Sequence, residues 1–264
     1  MRQRLLLLCV ASGVLSCAVG AHAVVNVADV VLALKFDEDG GLDALDSSPA
    51  ENHATLTEAA DFGKGKFGPS SLKIKRPEHA EVPIADNLRL HDTDFTLAMW
   101  GAFTEPPPSS GLMGHDEGLG AEVNKWVWQW FGGRFQLHIN RGGNKTAWAR
   151  SGFWEDPIVD RWYHFALTRT GITYEFWVDG ESIGTDDEDM KLPSDAHEEP
   201  IRIGSTESDN FAWTGLIDEV VIARNAWSQD DIKKVMNSGI DIGVLSVDPR
   251  GRLASTWGTL KKSR

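Results

Sequence analysis

The chain has 264 residues, 41% of them hydrophobic, with 39 acidic against 26 basic side chains and a formal net charge of −13. A surface this acidic repels phosphate backbones and anionic lipid, which argues against nucleic-acid and membrane-surface partners. Tryptophan is the outlier, at 11 residues against 2 tyrosines, so indoles that build a core have to be separated from indoles that face a ligand.

The chain opens with the three-part layout of an export signal: Arg2 and Arg4, an apolar run from Leu5 to Val19, then Ala21-His22-Ala23 before Val24. The apolar run falls short of the roughly 20 residues that cross a bilayer. Residues 1–23 are therefore expected to be a cleaved signal, giving a secreted, periplasmic or cell-surface protein with no transmembrane segment. Val14-Leu15-Ser16-Cys17 offers an alternative, a lipobox that would leave an acylated Cys17. Cleavage after Ala23 removes two arginines and no acid, so the net charge moves from −13 to −15. It also removes Cys9 and Cys17, the only cysteines, so stability must come from a core and not from disulfides.

The rest is expected to form one domain over 24–243 and a tail over 244–264 that ends in Lys261-Lys262-Ser263-Arg264. Within the domain, short apolar segments alternate with period two and are separated by Gly, Asp, Asn or Pro, the pattern of antiparallel strands. In order they are Val30 to Phe36, Ser71 to Ile74, Ala80 to Ile84, Phe95 to Phe103, Gly111 to Gly114, Lys125 to Phe131, Arg134 to Asn140 and Thr146 to Arg150. Trp162 to Arg169, Thr173 to Val178, Glu181 to Thr185, Pro200 to Ile203 and Gly215 to Ala223 complete the set. A single helix follows: Ser228 and Asp231 make a capping box, Ile232, Val235 and Met236 form an apolar stripe, and Gly239 is placed to end it. Many strands with one short helix predict an all-β sandwich or barrel.

Two hairpins can be set in register. Asp179-Gly180 suits a tight turn needing positive φ between two strands, and Gly132-Gly133 does the same between Trp126 to Phe131 and Arg134 to Ile139. A two-residue turn at Gly132-Gly133 puts Trp130 opposite Phe135, Trp128 opposite Leu137 and Trp126 opposite Ile139. That face is wholly apolar, so these three indoles are assigned to the core. Gln129, Arg134, Gln136 and His138 then project together from the other face.

The order of segments resembles the laminin-G-like jelly-roll family of the concanavalin A-like lectin and glucanase superfamily. The resemblance is carried by Leu32-Ala33-Leu34-Lys35-Phe36-Asp37, Asp46-Ser47-Ser48-Pro49, Phe67-Gly68-Pro69, Asp94-Phe95-Thr96-Leu97-Ala98-Met99-Trp100, Trp162-Tyr163-His164-Phe165, Phe176-Trp177-Val178-Asp179-Gly180, Ile203-Gly204 and Gly215-Leu216-Ile217-Asp218-Glu219-Val220. It implies a two-sheet antiparallel jelly-roll β-sandwich, but no single function, since the fold hosts lectins, adhesion modules, glycosidases and lyases. It also implies a structural Ca²⁺ in many members; on this sequence the matching oxygen ligands are Asp46, Asn52 and Asp218.

The superfamily's glucanases use carboxylates at alternate positions of one strand, and no Glu-x-Asp-x-Glu run occurs here. Its lyases use a Gln-x-His strand with Tyr and Arg; Gln136-Leu137-His138 matches that fragment alone. The leading expectation is an exported, non-catalytic module whose ligand is a glycan. The alternatives are an adhesive or structural protein that binds another surface protein, and a polysaccharide lyase or glycosidase. The candidate ligand residues are Gln129, Arg134, Gln136 and His138, whose amides, guanidinium and imidazole suit sugar hydroxyls, together with Trp148 and Trp154. Trp213, like those two, lies near a loop and is a further candidate for stacking on a sugar.

Overall fold

The computed structural model describes residues 25–57, 60–107, 109–118, 123–154, 157–193, 198–206 and 211–240. The signal-like segment, both cysteines, the lipobox and the 244–264 tail lie outside the described residues. Every predicted strand is present, with bounds shifted by a few residues.

The strands, numbered in chain order, are β1 (Val30–Leu34), β2 (Asp43–Ala44), β3 (Ala54–Leu56), β4 (Asp61–Lys64), β5 (Ser70–Ile74), β6 (Ala80–Val82), β7 (Phe95–Phe103) and β8 (Ser109–Asp116). They continue as β9 (Asn124–Phe131), β10 (Arg134–Arg141), β11 (Thr146–Arg150), β12 (Trp162–Thr170), β13 (Thr173–Val178), β14 (Glu181–Asp187), β15 (Ile201–Ile203) and β16 (Gly215–Ala223). Helix α1 spans Gln229–Ser238. Two antiparallel sheets of eight strands result. The first runs β14-β13-β12-β7-β16-β5-β4, with β1 also paired to β16, and the second runs β11-β10-β9-β8-β15-β6-β3-β2.

The core lies between the sheets. Leu97, Met99, Phe165, Leu167 and Phe176 of the first sheet share one buried cluster with Trp126, Trp128, Trp130, Phe135, Leu137 and Ile139 of the second. The Gly132-Gly133 turn gives the expected register, with Trp130 opposite Phe135 and Trp126 opposite Ile139, because both glycines take positive φ, 60° and 75°.

Every residue of β7 is buried, which a two-layer sandwich alone does not explain. The reason is a third layer. Helix α1, fixed at its start by the Ser228–Asp231 capping box, sets Ile232 and Val235 with Val25, Val27 and Trp227 against Ala98, Ala166, Trp177 and Val221 on the outer face of the first sheet. A covered strand needs no alternation, so β7 reads as a continuous apolar run.

One side of the sandwich is stitched shut. The Arg150 N–H donates to Asp186 Oδ2 at 3.0 Å and the Gly152 N–H to the Ile183 carbonyl at 2.9 Å, tying the β11 edge to the β14 edge.

Candidate functional site

The helix packs on the outer face of the first sheet; the outer face of the second carries the polar rows. Pairing across β9, β10 and β11 places Gln129, Gln136 and Arg150 in one row, Val127, His138 and Trp148 in the next, and Lys125, Asn140 and Thr146 in a third. The Trp148 indole lies flat on the His138 imidazole, centroids 3.7 Å apart and planes 9° apart, with the Arg150 guanidinium carbon 5.3 Å from the indole centroid. On β8, Gly114 sits beside Val127 and Asp116 beside Lys125. Beyond Gly114 come Arg202 and then Glu81, so a lane along β8, bare at Gly114, separates the aromatic flank from a charged one.

The charged groups of the lane are paired. Lys125 Nζ is 3.9 Å from Asp116. Glu81 accepts from Arg202 Nε at 3.2 Å and lies 3.0 Å from His79 Nε2. Burial pulls the Glu81 carboxyl upward, but His79 and Arg202 outweigh it and hold it below the usual range. Burial first, then the charges of Lys125 and Arg150, push His138 down to about 4, against a hydrogen bond with Asn140. His138 is thus neutral at physiological pH, and its buried Nε2 has no hydrogen-bond partner among the described residues. A neutral imidazole can donate or accept there according to its tautomer.

Four of the six predicted ligand residues, Gln129, Gln136, His138 and Trp148, are therefore neighbours. Gln129 and Gln136 are only 5% and 6% exposed; they sit on interior strands, where flanking side chains shade them. Arg134 shares the face but stands exposed at the hairpin tip, opposite Phe131. Arg150 was missed, although it lies two residues beyond Trp148 on the same strand and so on the same face.

Trp154 does not join the group. It packs at the mouth between the sheets, against Phe135, Tyr163 and Phe165 at 5.4, 5.2 and 5.9 Å. Trp213 is fully buried and stacks on Phe103 at 3.9 Å, so the core claims it and no sugar can. Loop position misleads for Trp213, whose indole the core takes.

The carboxylates of Asp46 and Asp218 are taken up by separate sets of donors. Asp46 Oδ1 accepts from Ala33 N and Ser48 N, both at 2.8 Å, and its Oδ2 from Ser48 Oγ and Asn52 N, both at 2.7 Å. The Asn52 amide donates to the Val31 carbonyl and to Asn87. Asp218 Oδ2 accepts from Lys66 N at 2.7 Å and Phe67 N at 3.2 Å, and its Oδ1 from Glu219 N at 2.9 Å. Among the described residues, no group of three or more His, Cys, Asp or Glu is arranged to hold a metal ion. The Asp46 oxygens fasten a loop to β1. Asp46→Ala strands several buried donors, at about 1–3 kcal/mol each, so a loss of about 3 kcal/mol or more is expected by urea denaturation, equal in calcium and in chelator. A loss seen only in calcium would make Asp46 a metal ligand after all.

A family model described as Concanavalin A-like lectin/glucanases superfamily, of the laminin G type, matches residues 77–233. Among solved structures, domain 4 of AbnA, a GH43 extracellular arabinanase from Geobacillus stearothermophilus in complex with arabinotriose, superposes with a TM-score of 0.63 at 16% identity, covering 79% of this chain and 98% of that one. The binding domain of Paraclostridial Mosquitocidal Protein 1 gives 0.62 at 12% identity, covering 80% and 52%. The binding domain of botulinum neurotoxin serotype D gives 0.59 at 11%, covering 81% and 53%. The chain spans about half the length of these two toxin binding domains, and at such identities the likeness is one of fold. No curated protein sequence matches the chain.

Proposed function

Because the chain belongs to the laminin-G-like family of the concanavalin A-like lectin/glucanases superfamily, we propose that it is a non-catalytic binding module that takes a glycan on the outer face of β9, β10 and β11. The carrying observation is the His138–Trp148 stack with Arg150 and the Gln129–Gln136 pair beside it. An indole edge, a neutral imidazole, two amides and a guanidinium together match a ring with an apolar rim and many hydroxyls. Two structural neighbours that are binding domains, and a third, domain 4 of an arabinanase, in complex with arabinotriose, support the same reading.

A non-catalytic role is supported by what surrounds these residues. Asp116 and Glu81, the carboxylates of the lane, are each engaged by a cation, whereas a glycosidase needs an acid and a second carboxylate facing the scissile bond. Tyr163 and Tyr174 are both buried on the first sheet, so the Gln136–His138 fragment has no phenol beside it for lyase chemistry.

A glycan array tests the reading. His138→Ala and Trp148→Ala are each expected to weaken a specific signal at least about tenfold, or 1.4 kcal/mol; a signal that survives both overturns the site. With His138 titrating near pH 4, binding should be level from pH 5.5 to 8 and fall as the imidazole gains a proton toward pH 4. New reducing ends or unsaturated sugars would overturn the non-catalytic role, and capture of a surface protein with no glycan signal would favour adhesion. Export belongs to the same proposal, and N-terminal sequencing of secreted protein should begin at Val24.

A further inference from the structure

Trp154, which the outer-face site does not use, helps line a cleft of about 290 Å³ at the sandwich mouth. That volume is near the lower end for small-molecule sites, roughly 300–1,000 Å³. Three apolar walls come from Trp154, Ile158 and Ile183, and Tyr163 supplies a phenol. The Trp154 backbone N–H donates to the Gly133 carbonyl at 2.8 Å, and its ring meets Tyr163 edge-on at 90°. The core thus fixes this indole, yet leaves it partly exposed.

The polar side is equally fixed. Arg161 donates to Asp179 Oδ2 at 2.9 Å with its guanidinium carbon 4.4 Å from the Tyr163 ring centroid. Asp179 Oδ1 accepts the His164 N–H at 2.9 Å, which ties the carboxylate to β12. The Tyr163 hydroxyl accepts from Ile158 N at 3.0 Å, leaving its own proton to donate. Arg161 keeps most of its five donors, and its side chain is 52% exposed. An ion pair at so exposed a position adds little stability.

We propose that this cleft is a second binding site, for a single sugar unit, separate from the outer-face site. A pyranose or furanose offers C–H edges to the indole and isoleucine walls, and hydroxyls that can accept from Arg161 and Tyr163 and donate to Asp179. Since the segment from Trp148 to Trp154 passes round the stitched edge of the sandwich, the two sites open on different sides of one module. A branched or cross-linked polysaccharide would then be held at two points, which multiplies apparent affinity without new contacts.

The test uses full-length protein with methyl α-L-arabinofuranoside and methyl β-D-galactopyranoside as probes, followed by saturation-transfer NMR. At least one glycoside is expected to receive saturation, unchanged in His138→Ala and Trp148→Ala. The signal should be lost both in Arg161→Ala, which empties a half-exposed position, and in Ile183→Trp, which fills the cleft; melting curves confirm that each variant is folded. No saturation in the parent protein, a signal that persists in both cleft variants, or one lost in His138→Ala, would overturn the proposal. Array binding through the outer face alongside a silent monosaccharide experiment would sink the second site and leave the first standing.

Discussion

Trp213→Ala is expected to cost about 3–5 kcal/mol and to lower the melting temperature by about 10 °C. The indole is fully buried, stacked on Phe103 with planes 25° apart and edge-on to Phe165, and its backbone N–H is held by the Gly204 carbonyl at 2.7 Å. Its seat exists because β7 carries Gly101 on the inner face. A Cβ at that position would stand 2.6 Å from Trp213 Cη2 and Cζ2 and 3.2 Å from Phe165 Cε2. Gly101→Leu alone should therefore overpack the core and lose at least about 3 kcal/mol. Combined with Trp213→Ala, the leucine grows into the vacated space, and the double variant should recover about 1–2 kcal/mol relative to the sum of the two losses. Chemical denaturation of the four proteins measures this directly. Strict additivity would mean that residues 101 and 213 do not share one volume.

The same pair shows where the sequence is legible and where it is not. Alternation and a two-glycine turn depend only on neighbours in the chain, so Trp126, Trp128 and Trp130 could be placed against Ile139, Leu137 and Phe135 before any coordinates, and the outer row of Gln129, Gln136 and His138 followed. Trp148 stood out in the sequence only as an indole near a loop; the pairing of β11 with β10 is what sets it beside His138. Trp154 and Trp213 lie outside strands, and the rings and glycine around them come from other elements, 9 to 112 positions away, which no local pattern encodes. The short strands β2, β3 and β4 were missed for a related reason. With two to four residues each they carry too few apolar positions to establish a period, and they exist because neighbouring strands offer them an edge. Asp46 and Asp218 were visible as carboxylates, but their use depends on which backbone donors the fold delivers. It delivers enough to make both of them fasteners of loops.

Stability should pass through a maximum near pH 6.5, because two buried groups on the outer face of the first sheet pull in opposite directions. His164, 1% exposed and beside Trp100, is pushed by burial from 6.5 down to about 3. A depressed folded-state value means that its contribution is full above pH 6.5 and lost as pH falls toward 3. Asp218 lies directly across β7 from it, both residues pairing with Trp100. Burial, then the neighbouring Glu219, raises its carboxyl from 3.8 to about 8, against three backbone N–H donors. A raised value has the reverse sign: stability is full below pH 3.8 and lost as pH climbs through 8.

Each group works at about 1.4 kcal/mol per pH unit inside its own window. Between pH 4 and 6.5 the two largely cancel, and His138, moving from 6.5 to about 4, tips the balance so that stability still rises with pH. Above 6.5 only the carboxylate side remains; Glu219 is also raised by burial. A fall of about 2 kcal/mol from pH 6.5 to 8 is expected in urea titrations. Asp218→Asn should lie lower overall, since an amide cannot accept every bond the carboxylate accepts, yet its decline over that interval should nearly vanish. His164→Phe should instead reduce the acid slope by about 1.4 kcal/mol per unit and leave the alkaline fall intact. If both variants keep the parent's profile, neither group carries the charge balance that their burial and hydrogen bonds imply.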